Sequence, residues 1–190
     1  MRSSGSTPSR SEGPIRLHLW IVGEDHPRAC TGRRLVERGE VDRITSASSF
    51  PSGIVLDPHA PHVVGRWDEA TARARGVGAV DCSWNQLGRR GGYPEGPVAA
   101  VPARRRRRLP LLLAGNAQHY GRLGELNTVE ALAAALIVLG EPDHGAQLLE
   151  GFHDGASFLS LNREPLAAYA EAATEEAARE AEVAFFGPGG

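Results

Sequence analysis

The stretch VGAVDCSWNQL, residues 77–87, decides the fold class, because a short apolar run stops there at small polar residues. Apolar residues fill 77–80, and Asp81, Cys82, Ser83 and Trp84 follow at once. This pattern is typical of a strand whose carboxyl end forms a working surface. A carboxylate at the end of a buried strand costs free energy unless it is paired or used. Asp81 is therefore a candidate functional residue, with capping of the next turn as the alternative.

The segments around this run alternate between strands and short helices. IRLHLWIV (15–22) and GIVLDP (53–58) read as buried strands. CTGRRLVERG (30–39) and RWDEATARARG (66–76) read as short helices that end at glycine. Strands that alternate with helices usually pair in parallel, so the sequence predicts an α/β fold with an amino-terminal sheet.

The second half of the chain is predicted to be mostly α-helical. TVEALAAALIVLG (128–140) is strongly helical, and Asn127 or Thr128 can cap it while the helix dipole favours Glu130. Helices are also expected at 143–152, 156–170 and 172–186. The predicted organisation is a disordered leader, an α/β domain, a helical domain and a frayed tail, at 1–14, 15–100, 101–186 and 187–190.

Composition excludes several classes of protein. The 190 residues carry a formal net charge of -2, and 41% hydrophobic content suits a globular protein rather than a polycation. The longest apolar run is shorter than the roughly 20 residues that span a bilayer, and no secretory segment opens the chain. An intracellular, cytoplasmic protein without membrane contact is therefore expected. The two cysteines, Cys30 and Cys82, lack the spacing of metal ligands, so no metal is predicted.

Two further polar clusters could converge with Asp81, because ligands of open α/β sheets bind beyond the carboxyl ends of the strands. In CTGRR, Thr31 can cap a helix whose first amides bind an anion, or it is an ordinary cap beside solvated Arg33 and Arg34. AGNAQHYGRLGELNTVEA (114–131) is either a glycine-rich loop that wraps a ligand or a long surface loop. Cys82 is more simply a small buried residue than a nucleophile, and Trp84 suits either a core or an aromatic ligand.

The order of these motifs resembles the small-subunit rRNA aminocarboxypropyltransferase family. The matching segments, between about His18 and Tyr169, are HLW, CTGRRL, GIVLDP, VDCSW, LPLLLAGN, YGR, TVEALAAAL and FLSLN. The resemblance implies transfer of the 3-amino-3-carboxypropyl (acp) group of S-adenosyl-L-methionine to N3 of an N1-methylpseudouridine in small-subunit rRNA, with release of 5′-methylthioadenosine. It also implies a SPOUT-like fold with a deep trefoil knot, and a monomer that acts on small-subunit rRNA or the pre-ribosomal small subunit.

The resemblance also implies roles for individual residues. Thr31 matches a position near the methionine end of the co-substrate, Leu56 and Pro58 flank the adenine, Val80 lies near the ribose, and Trp84 covers the cofactor. Further contacts, mainly from the backbone, are implied for Leu112, Asn127 and Ala131. Asp81 matches a carboxylate with a catalytic or structural role. In the loop 114–121 the family's AANPVNYG is replaced by AGNAQHYG.

These assignments lead to a mechanism and to alternatives. A pocket in which Trp84 shields the methyl group would present the methionine γ-carbon to the RNA, and Asp81 would accept the proton of the attacking nitrogen. RNA phosphates are expected to bind seven arginines: Arg33, Arg34, Arg104, Arg105, Arg106, Arg107 and Arg108. The alternatives are a SPOUT-class RNA methyltransferase, a non-catalytic rRNA-binding assembly factor that uses the run 104–108, and, more distantly, a cysteine-dependent hydrolase.

Overall fold

A parallel β-sheet forms the centre of the fold in the computed structural model, which describes residues 13–22, 31–81 and 97–188. Five strands pair in the order β2-β1-β4-β3-β5, and every pair is parallel. The strands are β1 (Leu17–Ile21), β2 (Asp42–Ile44), β3 (Ile54–Leu56), β4 (Val77–Asp81) and β5 (Arg106–Arg107). The predicted α/β class with parallel pairing is confirmed.

The central pair of strands is formed by the most apolar runs of the sequence. β1 and β4 pair along their full length, with Ile21 opposite Asp81 at their carboxyl ends. Leu17, Leu19 and Val77 are buried, as expected for strands covered on both faces. This register brings Asp81 to the edge of the sheet where the chain leaves both strands.

Two strands of the sheet were not predicted. β2 is an edge strand with the sequence DRI, two of whose three residues are exposed. β5 comes from the arginine run, and its register is fixed by the Asp57 amide, which donates to the Arg107 carbonyl at 2.8 Å. Because β5 lies in the segment predicted to be helical, 101–186, both halves of the chain contribute to one sheet. The domain boundary at residue 100 stays a prediction.

Seven α-helices surround the sheet in the described part of the chain. They are α1 (Thr31–Glu37), α2 (Glu69–Arg75), α3 (Thr128–Val138), α4 (Pro142–Leu149), α5 (Gly155–Leu161), α6 (Arg163–Glu171) and α7 (Glu175–Phe186). Gly39 and Gly76, with φ of 72° and 82°, follow the first two helices as predicted. The prediction of a single helix over 156–170 is wrong, because the helix is interrupted at Asn162 and the segment forms α5 and α6. The Asn162 side chain hydrogen-bonds to the backbone of Leu113.

Helix α3 is the centre of the hydrophobic core. Its residues from Leu132 to Leu139 are buried, and it packs against α1, α4, α6 and β4. A helix that is apolar on all sides belongs inside a protein, and this burial explains the long apolar run. Among the described helices none combines the length and the apolar character needed to cross a membrane. The core joins residues from Ile15 to Ala178, so the strands and the carboxyl-terminal helices fold around the same interior.

Candidate functional site

The candidate site lies at the carboxyl ends of β1 and β4, where Asp81 meets the start of α3. The Thr128 hydroxyl donates a hydrogen bond to Asp81 Oδ1 at 2.8 Å. The Val22 amide donates to the Asp81 carbonyl at 2.9 Å, so the chain leaving β1 runs beside the end of β4. Two motifs that are 47 residues apart in the sequence therefore meet at one edge of the sheet. Partial positive charge at the first turn of α3 faces this carboxylate.

Gly32 allows α1 to approach the same carboxylate. A Cβ atom at this position would overlap the Asp81 carboxylate and would lie 2.8 Å from Leu19 Cδ2. Only glycine avoids both overlaps without a shift of the helix. The CTG motif thus places Thr31, the first residue of α1, beside the end of β4.

Glu130 holds the glycine-rich loop against α3. This carboxylate is 1% exposed and accepts hydrogen bonds at 2.9 Å from the Gly115 amide, the Asn116 side-chain amide and the Asn127 amide. Burial raises the pKa of Glu130, and these hydrogen bonds oppose that rise. The Asn127 side chain accepts from the Glu130 amide, which completes a capping box and confirms Asn127 as the cap. The sequence suggested the cap, but it did not reveal that Glu130 organises the loop.

Three buried side chains from the carboxyl-terminal helices bind the backbone that follows β5; we call them the polar clamp: Asn162, Tyr169 and Glu182. The Asn162 side chain accepts from the Leu113 amide and donates to the Leu113 carbonyl, both at 2.8 Å. The Tyr169 hydroxyl donates to the Leu111 carbonyl at 3.0 Å, and Glu182 accepts from the Leu111 amide at 2.9 Å. The clamp therefore fixes the residues on both sides of Leu112, and the antiparallel segment 122–124 pairs with the same backbone.

The structure places the remaining predicted cofactor residues in different environments. Leu56 ends β3 and is buried, while Pro58 lies two residues beyond and is exposed. Both are at the same edge of the sheet as Asp81, because β3 pairs in parallel with β4. Val80 and Ala131 are half-buried, and Leu112 is fully buried. Trp84, Cys82 and Cys30 lie outside the described residues, and the contact of these positions with one cofactor stays a prediction.

The arginine run makes contacts within the protein that the sequence did not reveal. Arg106 pairs with Asp57 at 3.2 Å, Arg107 with Asp68 at 3.1 Å, and Arg108 with Glu182 through two hydrogen bonds of 2.5 and 2.8 Å. Burial raises the pKa of Asp68, against the hydrogen bond and the charge of Arg107. These pairs anchor the edge strand β5.

The other predicted phosphate contacts differ in their surroundings. Arg105 donates to the Gly53 carbonyl at 3.0 Å, and Arg104 is exposed. Arg34 donates to the Gly151 carbonyl at 2.7 Å, and its guanidinium lies 4.4 Å from the ring centre of Phe152. Arg33 is half-buried. Phosphate binding by the seven arginines stays a prediction, and the arginines that bond to carboxylates or carbonyls of the protein also stabilise the fold.

The polar groups at the carboxyl edge of the sheet include two carboxylates, Asp81 at the end of β4 and Asp57 directly after β3, together with the Thr128 hydroxyl and backbone amides. Within residues 13–22, 31–81 and 97–188, no group of three or more His, Cys, Asp or Glu side chains could hold a metal ion.

The fold and the site define a class: an α/β protein with a site at the carboxyl edge of a parallel sheet, closed by carboxyl-terminal helices. A family model described as "Ribosome biogenesis protein, C-terminal" matches residues 54–186. The 16S rRNA aminocarboxypropyltransferase of Halobacterium salinarum is 36% identical over 157 residues, which cover 83% of this chain and 88% of that protein. The protein of the same name from Methanopyrus kandleri is 41% identical, with coverage of 78% and 85%.

A eukaryotic relative and a solved structure extend the comparison. The 18S rRNA aminocarboxypropyltransferase of Saccharomyces cerevisiae is 33% identical over 89% of this chain, which spans 52% of the yeast protein. The structure of the SAM-dependent rRNA:acp-transferase Tsr3 from Vulcanisaeta distributa matches with a TM-score of 0.72 and 32% identity, covering 87% of this chain and 88% of that one. This chain belongs to the family of 16S and 18S rRNA aminocarboxypropyltransferases.

Proposed function

We propose that this protein transfers the acp group of S-adenosyl-L-methionine to N3 of an N1-methylpseudouridine in small-subunit rRNA and releases 5′-methylthioadenosine. Membership of the family supports the reaction class, since the relatives are named for this transfer on 16S or 18S rRNA. The observation that carries the proposal is the hydrogen bond from Thr128 to Asp81, which brings two of the family's motifs to one edge of the sheet.

The groups at this edge fit the charges of S-adenosylmethionine. Its sulfonium and ammonium groups are cations, which the Asp81 carboxylate attracts. Thr31, at the first turn of α1, has a hydroxyl and an amide for the methionine carboxylate. Leu56 offers apolar surface to the adenine, and the backbone at Leu112 and Asn127 supplies further contacts. When bound, the co-substrate supplies a carbon that its sulfonium activates toward attack.

The residues of the chain then position the RNA nitrogen and handle its proton. Only the carbon that faces the RNA can react, so the chain selects the acp group by orientation. Asp81 accepts the proton that the ring nitrogen must lose, and the hydrogen bond from Thr128 orients the carboxylate for this step. Trp84 is proposed to cover the methyl group.

We further propose that the chain contains a deep trefoil knot and acts as a cytoplasmic monomer on small-subunit rRNA or the pre-ribosomal small subunit. Membership of the family supports the knot, because the family resembles the knotted SPOUT class. Such threading is rare among folds.

The test uses S-adenosylmethionine labelled either in the carboxyl carbon or in the methyl group, with a small-subunit rRNA fragment that contains N1-methylpseudouridine. We expect the carboxyl label in the RNA and 5′-methylthioadenosine in solution. The methyl label in the RNA, together with S-adenosylhomocysteine, would instead identify an RNA methyltransferase. RNA binding without cofactor binding in calorimetry would identify an assembly factor.

A pair of matched variants tests the role of Asp81. Asp81→Asn should lower the rate of transfer even at saturating S-adenosylmethionine, because the amide keeps the shape but accepts no proton. Its Kd for S-adenosylmethionine should also rise, because the attraction between the carboxylate and the two cations is lost. Asp143→Asn, at an exposed position of α4, should leave the rate unchanged. Full turnover by Asp81→Asn would contradict the base assignment.

A further inference from the structure

Tyr120 is exposed on a hairpin that leads directly into the candidate site. We call the segment 112–124 the site hairpin; Asn162 of the polar clamp binds it at Leu113, and Glu130 binds it at Gly115 and Asn116. Three large apolar side chains among the described residues are strongly exposed, Tyr120 at 62%, Val183 at 52% and Phe185 at 40%. Val183 and Phe185 lie on α7. Of the three, Tyr120 is therefore the one that lies in the site hairpin.

Backbone hydrogen bonds hold the site hairpin in one conformation. The Ala114 amide donates to the Arg122 carbonyl at 2.9 Å, the Gly121 amide to the Ala114 carbonyl at 2.8 Å, and the Gly124 amide to the Leu112 carbonyl at 2.9 Å. Gly121 has a φ of 73°, which lets the chain turn immediately after Tyr120. The backbone that presents the exposed Tyr120 ring is therefore already ordered. Little backbone conformational entropy would be lost when a ligand packs on the ring.

Hydrogen bonds connect the base of the site hairpin to the candidate site at the carboxyl end of β4. Glu130 binds Gly115 and Asn116, and Thr128, two residues earlier in the chain, binds Asp81. The position of Tyr120 is thus coupled to the carboxylate proposed as the base through two buried hydrogen bonds of Glu130 and the partly buried one of Thr128. A group that packs on Tyr120 would lie at a fixed place relative to that carboxylate.

Arg122, two residues after Tyr120, supplies a cation that can contact a phosphate next to a stacked base. Arg122 is exposed at 63% of its side chain and lies 3.5 Å from Glu125, a solvated ion pair whose exchange for a phosphate costs little. His119 also pairs with Glu125. An aromatic face with a cation two residues away is the arrangement with which proteins bind unpaired nucleotides.

The reaction itself requires an unpaired nucleotide. N3 lies on the Watson–Crick edge of the base, so the enzyme can reach it only in an unpaired nucleotide, whose neighbours also lack pairing partners or are easily unstacked. An aromatic side chain that takes the place of a lost stacking partner stabilises such an opened strand.

We propose that Tyr120 stacks on an unpaired base of the substrate RNA while Arg122 contacts the adjoining phosphate. This proposal rests on the proposed function for the identity of the substrate, but its binding test does not require turnover. Tyr120 is a positioning residue, because it acts on the RNA at a distance from the reacting nitrogen.

The test measures the affinity for a fluorescein-labelled oligouridylate of about 12 nucleotides, a length in the range of single-strand binding sites. Loss of one stacking ring in Tyr120→Ala should weaken binding by about 5- to 150-fold. Tyr120→Phe keeps the ring and should bind like the wild type. Phe185→Ala removes an exposed aromatic ring of α7 and is the matched control, with affinity unchanged.

Salt dependence separates stacking from charge. Tyr120→Ala should leave the slope of log affinity against log salt unchanged, whereas Arg122→Gln should reduce its magnitude by about one. An unchanged affinity in Tyr120→Ala, or an equal loss in Phe185→Ala, would overturn the proposal. Calorimetry with S-adenosylmethionine checks that the variants retain the cofactor site.

The two proposals fail in different ways. If the wild type transfers the acp group and Tyr120→Ala keeps its RNA affinity and its KM for RNA, stacking is refuted and the function stands. If the wild type transfers nothing but binds RNA in a Tyr120-dependent manner, the function is refuted and stacking is supported.

Discussion

Replacement of Asn162 by alanine tests whether the polar clamp determines the path of the chain beside the site. Asn162 is fully buried, and its side chain makes three hydrogen bonds, two with Leu113 and one to the Phe158 carbonyl. The Phe158 carbonyl keeps a backbone partner, the Asn162 amide at 3.1 Å, which alanine also provides. The amide and the carbonyl of Leu113 lose the partners that Asn162 provides.

The size of the effect follows from those two groups. A buried polar group left without a partner costs about 1–3 kcal/mol, so Asn162→Ala should lower the free energy of unfolding by about 2–6 kcal/mol. Urea unfolding followed by circular dichroism measures this change. Ser160→Ala, at an exposed position of α5, is the control and should change stability by less than about 0.5 kcal/mol.

Hydrogen exchange tells where the loss occurs. In Asn162→Ala the Leu113 amide should lose protection, while the Gly124 amide keeps its backbone partner, the Leu112 carbonyl. A free energy of unfolding within about 0.5 kcal/mol of the wild type, with the Leu113 amide still protected, would refute the reasoning.

Three further changes test other parts of the structure. Gly32→Ala places a methyl group on the carboxylate at the end of β4 and should lower stability by about 1–3 kcal/mol in urea unfolding. Gly13→Ala is the control: a Cβ atom at this position would have no neighbour within 4 Å, so stability should not change. Arg108→Met leaves the buried Glu182 carboxylate without its cation and should cost about 3–5 kcal/mol in the same assay, a value near zero contradicting the pairing. Burial raises the pKa of Glu130 above 4.5. Between pH 4.5 and the raised pKa the folded protein therefore keeps a proton on Glu130 that the unfolded chain has lost. The free energy of unfolding should therefore fall as pH rises from 4.5 through the raised pKa, and Glu130→Gln should remove that component; identical pH profiles for the two proteins would contradict it.

Local patterns were sufficient to predict the centre of the sheet. The runs that form β1, β3 and β4 are apolar, short and bounded by glycine or polar residues, so their type could be read from a few neighbours. Asn127 was likewise predictable as a cap, because Glu130 stands three residues later. These features depend on residues that lie close together in the sequence.

The arginine run shows what local patterns omit. Arg106 and Arg107 pair with β3 through the backbone, and carboxylates at Asp57 and Asp68, 49 and 39 residues away, neutralise their side chains there. No property of the run itself indicates that pairing, and a run of five cations read by itself indicates a phosphate contact. The strand β5 was therefore missed for an electrostatic reason.

The candidate site was predictable in its parts but not in its assembly. Asp81 was identified from its position after an apolar run, and the family resemblance supplied the other positions. The contact with Thr128 joins two motifs that no periodicity connects. Glu130 was read as a helix-dipole residue, because its bonds to Gly115 and Asn116 depend on how a distant loop folds back.

The ion pair between Arg108 and Glu182 determines when this protein can complete its fold on the ribosome. The two residues are 74 positions apart, and Glu182 can join Asn162 and Tyr169 in holding the backbone after β5 only once α7 has formed. A nascent chain that ends before Glu182 leaves the Arg108 guanidinium and the Leu111 amide without this partner, so the segment that follows β5 is less firmly held at the edge of the sheet. Folding therefore finishes only after the last helix has left the exit tunnel, and shortening the chain at its carboxyl end should cause aggregation rather than a smaller folded protein.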